Sequence, residues 1–310
     1  DNMVAFREIT TGLRFPEGPI AMPDGVVVLV EIEGRRLTRV HPDGRKEVIC
    51  ETGGGPNGAA IGPDGRCYIC NNGGFAYTED EYGLRSIGQA EDYSGGRIEA
   101  VDLATGELEV LYTHSGDIPL KGPNDIVFDR HGGMWFTDLG KVNGRLMDRG
   151  AIFYAKADGS FIKEVAFPMI TPNGIGLSPD EKRLYVAETR TGRVWYFDLG
   201  APGEIVNQAP FPSPHGGHLL AGVPGFREFD SLAVDSAGNV CVATLFTPGI
   251  TVISPDGQNI DYIDLPDLYV TNICFGGRDL KTAYVTLSAN GRLIAFDWPR
   301  PGQPLNYLNT

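Results

Sequence analysis

Six polar residues recur at the same place in a repeated sequence phrase, at intervals of about 50 residues. Each precedes a short apolar run, and each side chain carries an oxygen atom. The six residues are Glu17, Asn57, Asn124, Asn173, Asp230 and Asn272. Carboxylate and amide oxygens without Cys or His favour a hard divalent cation such as Ca²⁺, and two carboxylates balance its charge. The set predicts one divalent metal ion, Ca²⁺ first, with Zn²⁺, Mn²⁺, Mg²⁺ and Fe²⁺ as alternatives.

The segments that follow these residues have the pattern of short β-strands. They are rich in Val, Ile and aromatic residues and are bounded by Asp-Gly or Gly-Gly, which is typical of strands joined by hairpins. Four such strands in nearly every one of six repeats predict an all-β fold, a six-bladed β-propeller in one domain spanning 1–310. Because the innermost strands of a propeller begin at one mouth of its channel, the six polar side chains are expected to converge there.

The last repeat has no fourth strand after Asp297, where three prolines oppose strand pairing. The N-terminal segment 4–9 has a strand-like pattern and no partner within the first repeat. We predict that this segment supplies the missing strand and closes the ring, which protects two otherwise exposed sheet edges.

The composition limits the possible partners. The chain has 26 Lys and Arg against 40 Asp and Glu, a net charge of −14. Such a chain repels nucleic acid and anionic membrane surfaces, and it has no apolar run long enough for a membrane helix. An odd count of five cysteines and an N-terminus without an apolar signal region favour the cytoplasm. The sequence leaves the choice between a monomer and a weak homo-oligomer open.

Short phrases around the polar residues resemble the regucalcin/gluconolactonase family of calcium-dependent lactonases, over about residues 4–298. The phrases are Phe15-Pro-Glu17-Gly-Pro, Pro56-Asn57-Gly, Gly122-Pro-Asn124-Asp, Trp135-Phe-Thr-Asp138, Pro172-Asn173-Gly and Cys274-Phe-Gly-Gly. The resemblance implies a six-bladed propeller that holds one divalent metal in its channel and hydrolyses sugar lactones. One branch, resembling diisopropylfluorophosphatase, cleaves phosphorus–fluorine bonds instead.

The resemblance also implies roles for individual residues. Glu17, Asn173 and Asp230 match the metal ligands of the family, and Asn124 matches an asparagine beside the metal, as ligand or as hydrogen-bond donor to substrate. The sequence departs from the family where Asp230 is followed by a serine rather than a glycine. The family's substrate-binding arginine has no clear match, and Lys121 is a loose substitute.

These residues predict metal-assisted hydrolysis of a lactone, either sugar-type or more hydrophobic. The metal polarises the carbonyl and stabilises the oxyanion. Asp230 and Asn124 are the predicted catalytic residues, Asp230 as general base or as nucleophile. Two alternatives remain, an organophosphate hydrolase and a non-catalytic propeller that binds a metal or a partner. For each polar residue taken singly, capping of a strand entry is a further alternative.

Further residues are predicted to contact the substrate. Asn57 and Asn272 belong to the six polar positions, and Asn72 and Asp138 follow second strands. An insertion at 71–94, rich in aromatics, predicts a lid that carries Tyr77, with a subunit contact as the alternative. His218 lies on a Pro- and Gly-rich loop before Asp230 and is a candidate at the rim. The alternatives are that Asp138 hydrogen-bonds the backbone of its own turn and that His218 lies on a solvated loop.

Overall fold

The computed structural model describes residues 3–310; residues 1 and 2 of the predicted domain lie outside the described residues. Six antiparallel blade sheets, five of four strands and one of five, follow one another along this part of the chain, each with its innermost strand first, and it contains no helix. The predicted all-β, six-bladed propeller is confirmed. None of the described residues belongs to a helix that could cross a membrane.

The blades are numbered in chain order, and their strands run outward from the channel. Blade one contains Pro16–Ala21, Val27–Glu31, Arg36–Val40 and Lys46–Glu51; blade two contains Pro56–Ile61, Cys67–Asn71, Arg97–Val101 and Leu108–Tyr112; blade three contains Pro123–Phe128, Gly133–Asp138, Gly150–Lys156 and Ile162–Met169. Small hairpins also occur beside blades two and three: Phe75–Asp80 with Gly83–Gln89, His114–Ser115 with Ile118–Pro119, and Val142–Asn143 with Leu146–Met147.

Blades four to six complete the ring. Blade four contains Pro172–Leu177, Arg183–Glu188 and Arg193–Leu199, with Ile205–Val206 and His218–Gly222 sharing its outer edge; blade five contains Glu228–Val234, Val240–Leu245, Gly249–Ile253 and Ile260–Asp264; blade six contains Val270–Gly276, Thr282–Leu287, Arg292–Asp297 and Arg7–Thr10.

The N-terminal strand closes the ring as expected. Arg7–Thr10 pairs antiparallel with Arg292–Asp297, so that Arg7 lies opposite Ala295. The strand begins three residues later than position 4. The reason is packing, because Val4 and Phe6 pack against the apolar cluster between blades five and six.

The apolar core lies mainly between neighbouring blades. Each face of an inner blade strand is covered by the neighbouring blade on that side. These strands are therefore buried along most of their length. In blade three, for example, the rings of Phe136 and Phe153 stack with centroids 5.2 Å apart. This packing holds the six innermost strands at fixed positions around the channel.

The innermost strand is irregular in every blade at or beside the polar residue. Its pairing with the second strand shifts register there, for example between Glu17 and Ile20 in blade one and between Phe229 and Leu232 in blade five. The other four blades have the same irregularity. A β-bulge changes the direction in which a side chain points. Because the irregularity recurs in every blade, it reorients all six polar side chains at the same level of the channel.

The opposite end of the channel is lined mainly by apolar side chains. Below the polar level lies a cavity of about 120 Å³ lined by side chains such as Ile126, Leu232 and Phe275. The C-terminal segment 303–308 lies across its lower end, where Asn306 Nδ2 donates to the carbonyl of Phe128 at 3.1 Å.

Candidate metal centre and active site

Polar side chains from blades one, four, five and six meet at the upper mouth. Asn272 Nδ2 donates to Glu17 Oε2 at 2.7 Å. The Ser231 hydroxyl lies 3.1 Å from Glu17 Oε1 and 3.5 Å from Asn173 Oδ1. Asp230 also forms side-chain hydrogen bonds with Glu17 and Asn173, and these bonds act to lower its pKa. The structure thus brings together Glu17, Asn173, Asp230 and Asn272, as the repeat predicts.

Among residues 3–310, the carboxylates at this mouth have no cationic partner. Burial, followed by the charges of Asp230 and Asp125, raises the pKa of Glu17 well above its usual range. Burial also raises the pKa of Asp230 to about 7, although the residue keeps partial exposure to the channel mouth. No ion pair in residues 3–310 involves any of these three acids. This arrangement favours the binding of a cation.

Asn124 presents an oxygen atom that the protein leaves unpaired. Its Oδ1 is buried and has no hydrogen-bond partner among residues 3–310. A buried acceptor without a partner costs free energy, so such an atom calls for a ligand or an ion. Asn57 is buried at the equivalent position of blade two. Asn124 is therefore a candidate ligand from blade three, at the position of the repeat equivalent to those of Glu17, Asn173 and Asp230.

The donor set fits a hard divalent cation. Within residues 3–310, no three His, Cys, Asp or Glu side chains gather in the manner of metal ligands. The candidate centre depends instead on two carboxylates and the amide oxygens of Asn124 and Asn173. Oxygen donors of this kind suit Ca²⁺ better than Zn²⁺.

Sequence reasoning missed two residues of this site, Asp125 and Ser231. Burial raises the pKa of Asp125 to about 7, while hydrogen bonding with the Ser231 side chain opposes this shift. A side chain at Gly58 would come within 2.9 Å of Asp125 Oδ1, so the glycine leaves room for the acid. The signal was present in the repeat. The residue after the polar position is glycine in blades one, two and four, whereas it is Asp125, Ser231 and Ile273 in the other three.

The insertion of blade two forms an ordered hairpin across the upper side of blade one. At its tip, Leu84 N donates to the carbonyl of Ala289 in blade six at 2.9 Å. Along its side, Glu79 lies 3.5 Å from Arg14. This position fits the predicted lid.

Lys141 fixes the base of this hairpin. Its ammonium group is buried, donates to the carbonyls of Asn72 and Gly74 at 3.1 and 3.0 Å, and lies 3.8 Å from the ring centroid of Phe75. Burial lowers the pKa of Lys141 to about 7, and the charges of Asp138 and Asp148 oppose that shift. Sequence reasoning missed this residue, because its contacts join two blades.

Two predicted substrate residues have unpaired polar atoms. The Tyr77 hydroxyl and Asn72 Nδ2 are buried without a hydrogen-bond partner in the described part of the chain. Burial raises the pKa of Tyr77 well above its usual range, and the nearby carboxylates of Glu17 and Asp230 contribute. Asn72 Oδ1 accepts a hydrogen bond from Gly74 N at 2.8 Å.

In the structure, the side chains of Asp138 and His218 contact backbone groups of the protein itself. Asp138 accepts hydrogen bonds from the backbone N–H groups of Lys121, Gly122 and Gly140 at 2.8 to 2.9 Å, which favours its turn-bonding role. His218 lies at the outer edge of blade four, with Nε2 2.8 Å from the carbonyl of Asn207. Because the outer edge is remote from the channel, this position does not support a substrate contact.

The tip of the hairpin provides a direct test of the lid. Gly83 has φ +94°, and a Cβ there would overlap the carbonyl oxygen of Ala289. Gly83→Ala is expected to displace the tip and raise KM about tenfold, with little change in kcat. The matched control is Gly95→Ala, because Gly95 has a similar φ of +85° and open space around its Cβ position. Equal KM values for both variants in steady-state assays would contradict a lid.

Comparisons with known proteins agree with this architecture. Residues 15–289 match the family described as the SMP-30/Gluconolactonase/LRE-like region. The chain is 24% identical to a gluconolactonase of Zymomonas mobilis, over 91% of this chain and 78% of that protein. It is 28% identical to the diisopropyl-fluorophosphatase of Loligo vulgaris, over 96% of this chain and 93% of that protein.

A solved structure shows the same fold. It is the calcium-binding protein regucalcin from Agrobacterium tumefaciens, with a TM-score of 0.73 at 21% identity, over 96% of this chain and 95% of that chain. Most of the chain lies inside the matched region, and its six blades form the ring. The chain therefore belongs to the SMP-30/gluconolactonase/LRE-like family.

Proposed function

We propose that this protein is a metal-dependent hydrolase that opens a lactone at the upper mouth of its channel. One divalent ion, with Ca²⁺ the first candidate, is held by Glu17, Asn124, Asn173 and Asp230. The observation that carries the proposal is the buried, unpaired Asn124 Oδ1 beside carboxylates without a cationic partner in residues 3–310. Family membership and the gluconolactonase relative support lactone hydrolysis. The calcium-binding relative makes Ca²⁺ the first ion to test.

Each side chain then has a chemical task. The bound ion supplies Lewis-acid stabilisation of the developing oxyanion. Asp230 is partly exposed. Its carboxylate accepts the proton of the attacking water or attacks the carbonyl carbon itself. Asn272 and Ser231 hold the Glu17 carboxylate in place through their hydrogen bonds. The hairpin of blade two limits the access of bulk water.

Organophosphate hydrolysis is the second candidate function. The relative from Loligo vulgaris shares more of its length with this chain than the gluconolactonase does. The same polarised site can act on a phosphorus centre, because both reactions develop negative charge on an oxygen atom. A purely structural ion is less well supported, since Asp230 keeps partial exposure at the mouth.

A substrate panel separates these functions. The calcium-loaded protein is assayed on glucono-1,5-lactone, alkyl- and aryl-substituted lactones, and diisopropyl fluorophosphate, by acid and fluoride release. We expect turnover of at least one lactone at a higher kcat/KM than that of the fluorophosphate. Fluoride release without lactone turnover would establish the second candidate, and no turnover of any substrate would favour the scaffold.

A further inference from the structure

A row of aromatic side chains lines the upper mouth, and we call it the aromatic arc. Its members are Phe75, Tyr77, Phe15, Tyr269, Phe246 and Phe226. Successive ring centroids in this order are 6.4, 5.3, 5.9, 5.5 and 4.9 Å apart. The arc begins on the hairpin of blade two and extends past blades one and six to blade five.

The topology places the arc on the same side as the predicted metal ligands. Phe15 is two residues before Glu17, and Tyr269 and Phe226 lie in connections that lead into innermost strands. Tyr77 and Tyr269 both contact Phe15, with ring centroids 5.3 and 5.9 Å away. The arc therefore forms a wall beside the candidate active site.

The backbone of Phe246 is strained to hold its ring in this wall. Phe246 has φ +74°, which is unfavourable for a bulky residue. Phe246 comes two residues after Thr244, which pairs with the residue before Asp230. Gly73 and Gly140 come two residues after the equivalent partners in blades two and three, and both have φ +83°. A glycine would adopt this conformation freely. Strain of this kind at a functional site points to a role for the side chain.

From these observations we propose that the arc selects lactones that carry an aromatic or other planar apolar substituent. This inference rests on the proposed lactone hydrolysis and names its substrate class. Aromatic rings attract another ring in stacked or edge-to-face geometry. The four phenylalanine rings offer no hydrogen bonds to replace those that a polyhydroxylated substituent loses on leaving water, and Tyr77 and Tyr269 add only one hydroxyl each. The arc therefore disfavours sugar-type lactones relative to aryl-substituted ones.

Binding of stable analogues tests this preference without any need for turnover. A phenyl-substituted δ-lactam and δ-gluconolactam are titrated into the calcium-loaded protein by calorimetry. We expect the phenyl compound to bind at least about tenfold more tightly. Phe246→Gly is expected to remove about tenfold of that affinity while the affinity for gluconolactam stays within about twofold. The melting temperature should change little, since glycine relieves the backbone strain.

Phe211→Ala is the matched control, because Phe211 is 93% exposed and lies outside the arc; it should change neither affinity. The inference would be overturned if gluconolactam bound as tightly as the phenyl compound or more tightly, or if neither lactam bound. It would also be overturned if Phe246→Gly reduced the affinity for both lactams equally. Turnover of glucono-1,5-lactone together with any of these results would refute the arc's role and leave lactone hydrolysis standing. A phenyl preference without any lactone turnover would uphold the arc and refute the proposed reaction.

Discussion

Replacing Asp230 by asparagine is expected to lower lactone kcat/KM by about 1,000-fold, because loss of a general base or of oxyanion stabilisation has effects of this size. The substitution keeps the shape of the side chain and removes its charge. Burial already raises the pKa of Asp230, so the neutral amide should not unfold the protein. Steady-state rates on the best lactone of the panel measure the effect.

A matched control separates this effect from a general loss of charge. Asp261 lies exposed in the outer strand of blade five, and Asp261→Asn should retain full turnover. Calorimetry should accompany both variants to show whether Ca²⁺ is still bound. Full activity of a calcium-loaded Asp230→Asn protein would contradict the role of Asp230.

Glu17→Gln is expected to abolish the stabilisation that Ca²⁺ gives to the protein. Glu17 is 1% exposed, and its pKa is raised by burial and by the charges of Asp230 and Asp125. A neutral amide therefore relieves repulsion in the metal-free protein while it removes half of the carboxylate charge offered to the metal. We expect Ca²⁺ to raise the melting temperature of the unsubstituted protein by about 5 °C and that of the variant by less than about 1 °C.

Glu31 in the same blade is the matched control. It is also buried, but it is paired with Arg36 at 2.7 Å and accepts a hydrogen bond from Thr38 at 2.6 Å, and its pKa is lowered. Glu31→Gln should therefore destabilise the protein, since removing one partner of a buried pair is costly. The shift caused by Ca²⁺ should remain. A calcium shift that survives in Glu17→Gln would contradict the ligand assignment.

Features that repeat along the chain could be predicted from the sequence. The recurring polar residue and its flanking strands gave the six blades, because one local pattern specifies one blade and stacking buries the rest. The convergence of Glu17, Asn173, Asp230 and Asn272 followed from that register. The ring closure was also predictable, since the last repeat lacked a strand and Arg7–Thr10 had no other partner.

Features that depend on contacts between blades could not be predicted in this way. Lys141 fixes the hairpin base through carbonyls about 70 residues away in the chain, and no local pattern indicates such a contact. The aromatic arc likewise joins residues from four blades. The substrate role of His218 stays a prediction, and a Gly-rich loop before a polar position did not reveal that its chain returns to the outer edge of a blade.

The most direct test of the proposed metal-dependent hydrolysis is a calcium titration of lactone turnover. The protein is stripped with EDTA, and acid release from the best lactone of the panel is followed as Ca²⁺, Mg²⁺, Mn²⁺, Zn²⁺ or Fe²⁺ is added. We expect no turnover above background in the stripped protein and full recovery at about one equivalent of the preferred ion. Undiminished turnover by the stripped protein, or no recovery with any of the five ions, would contradict the proposed function.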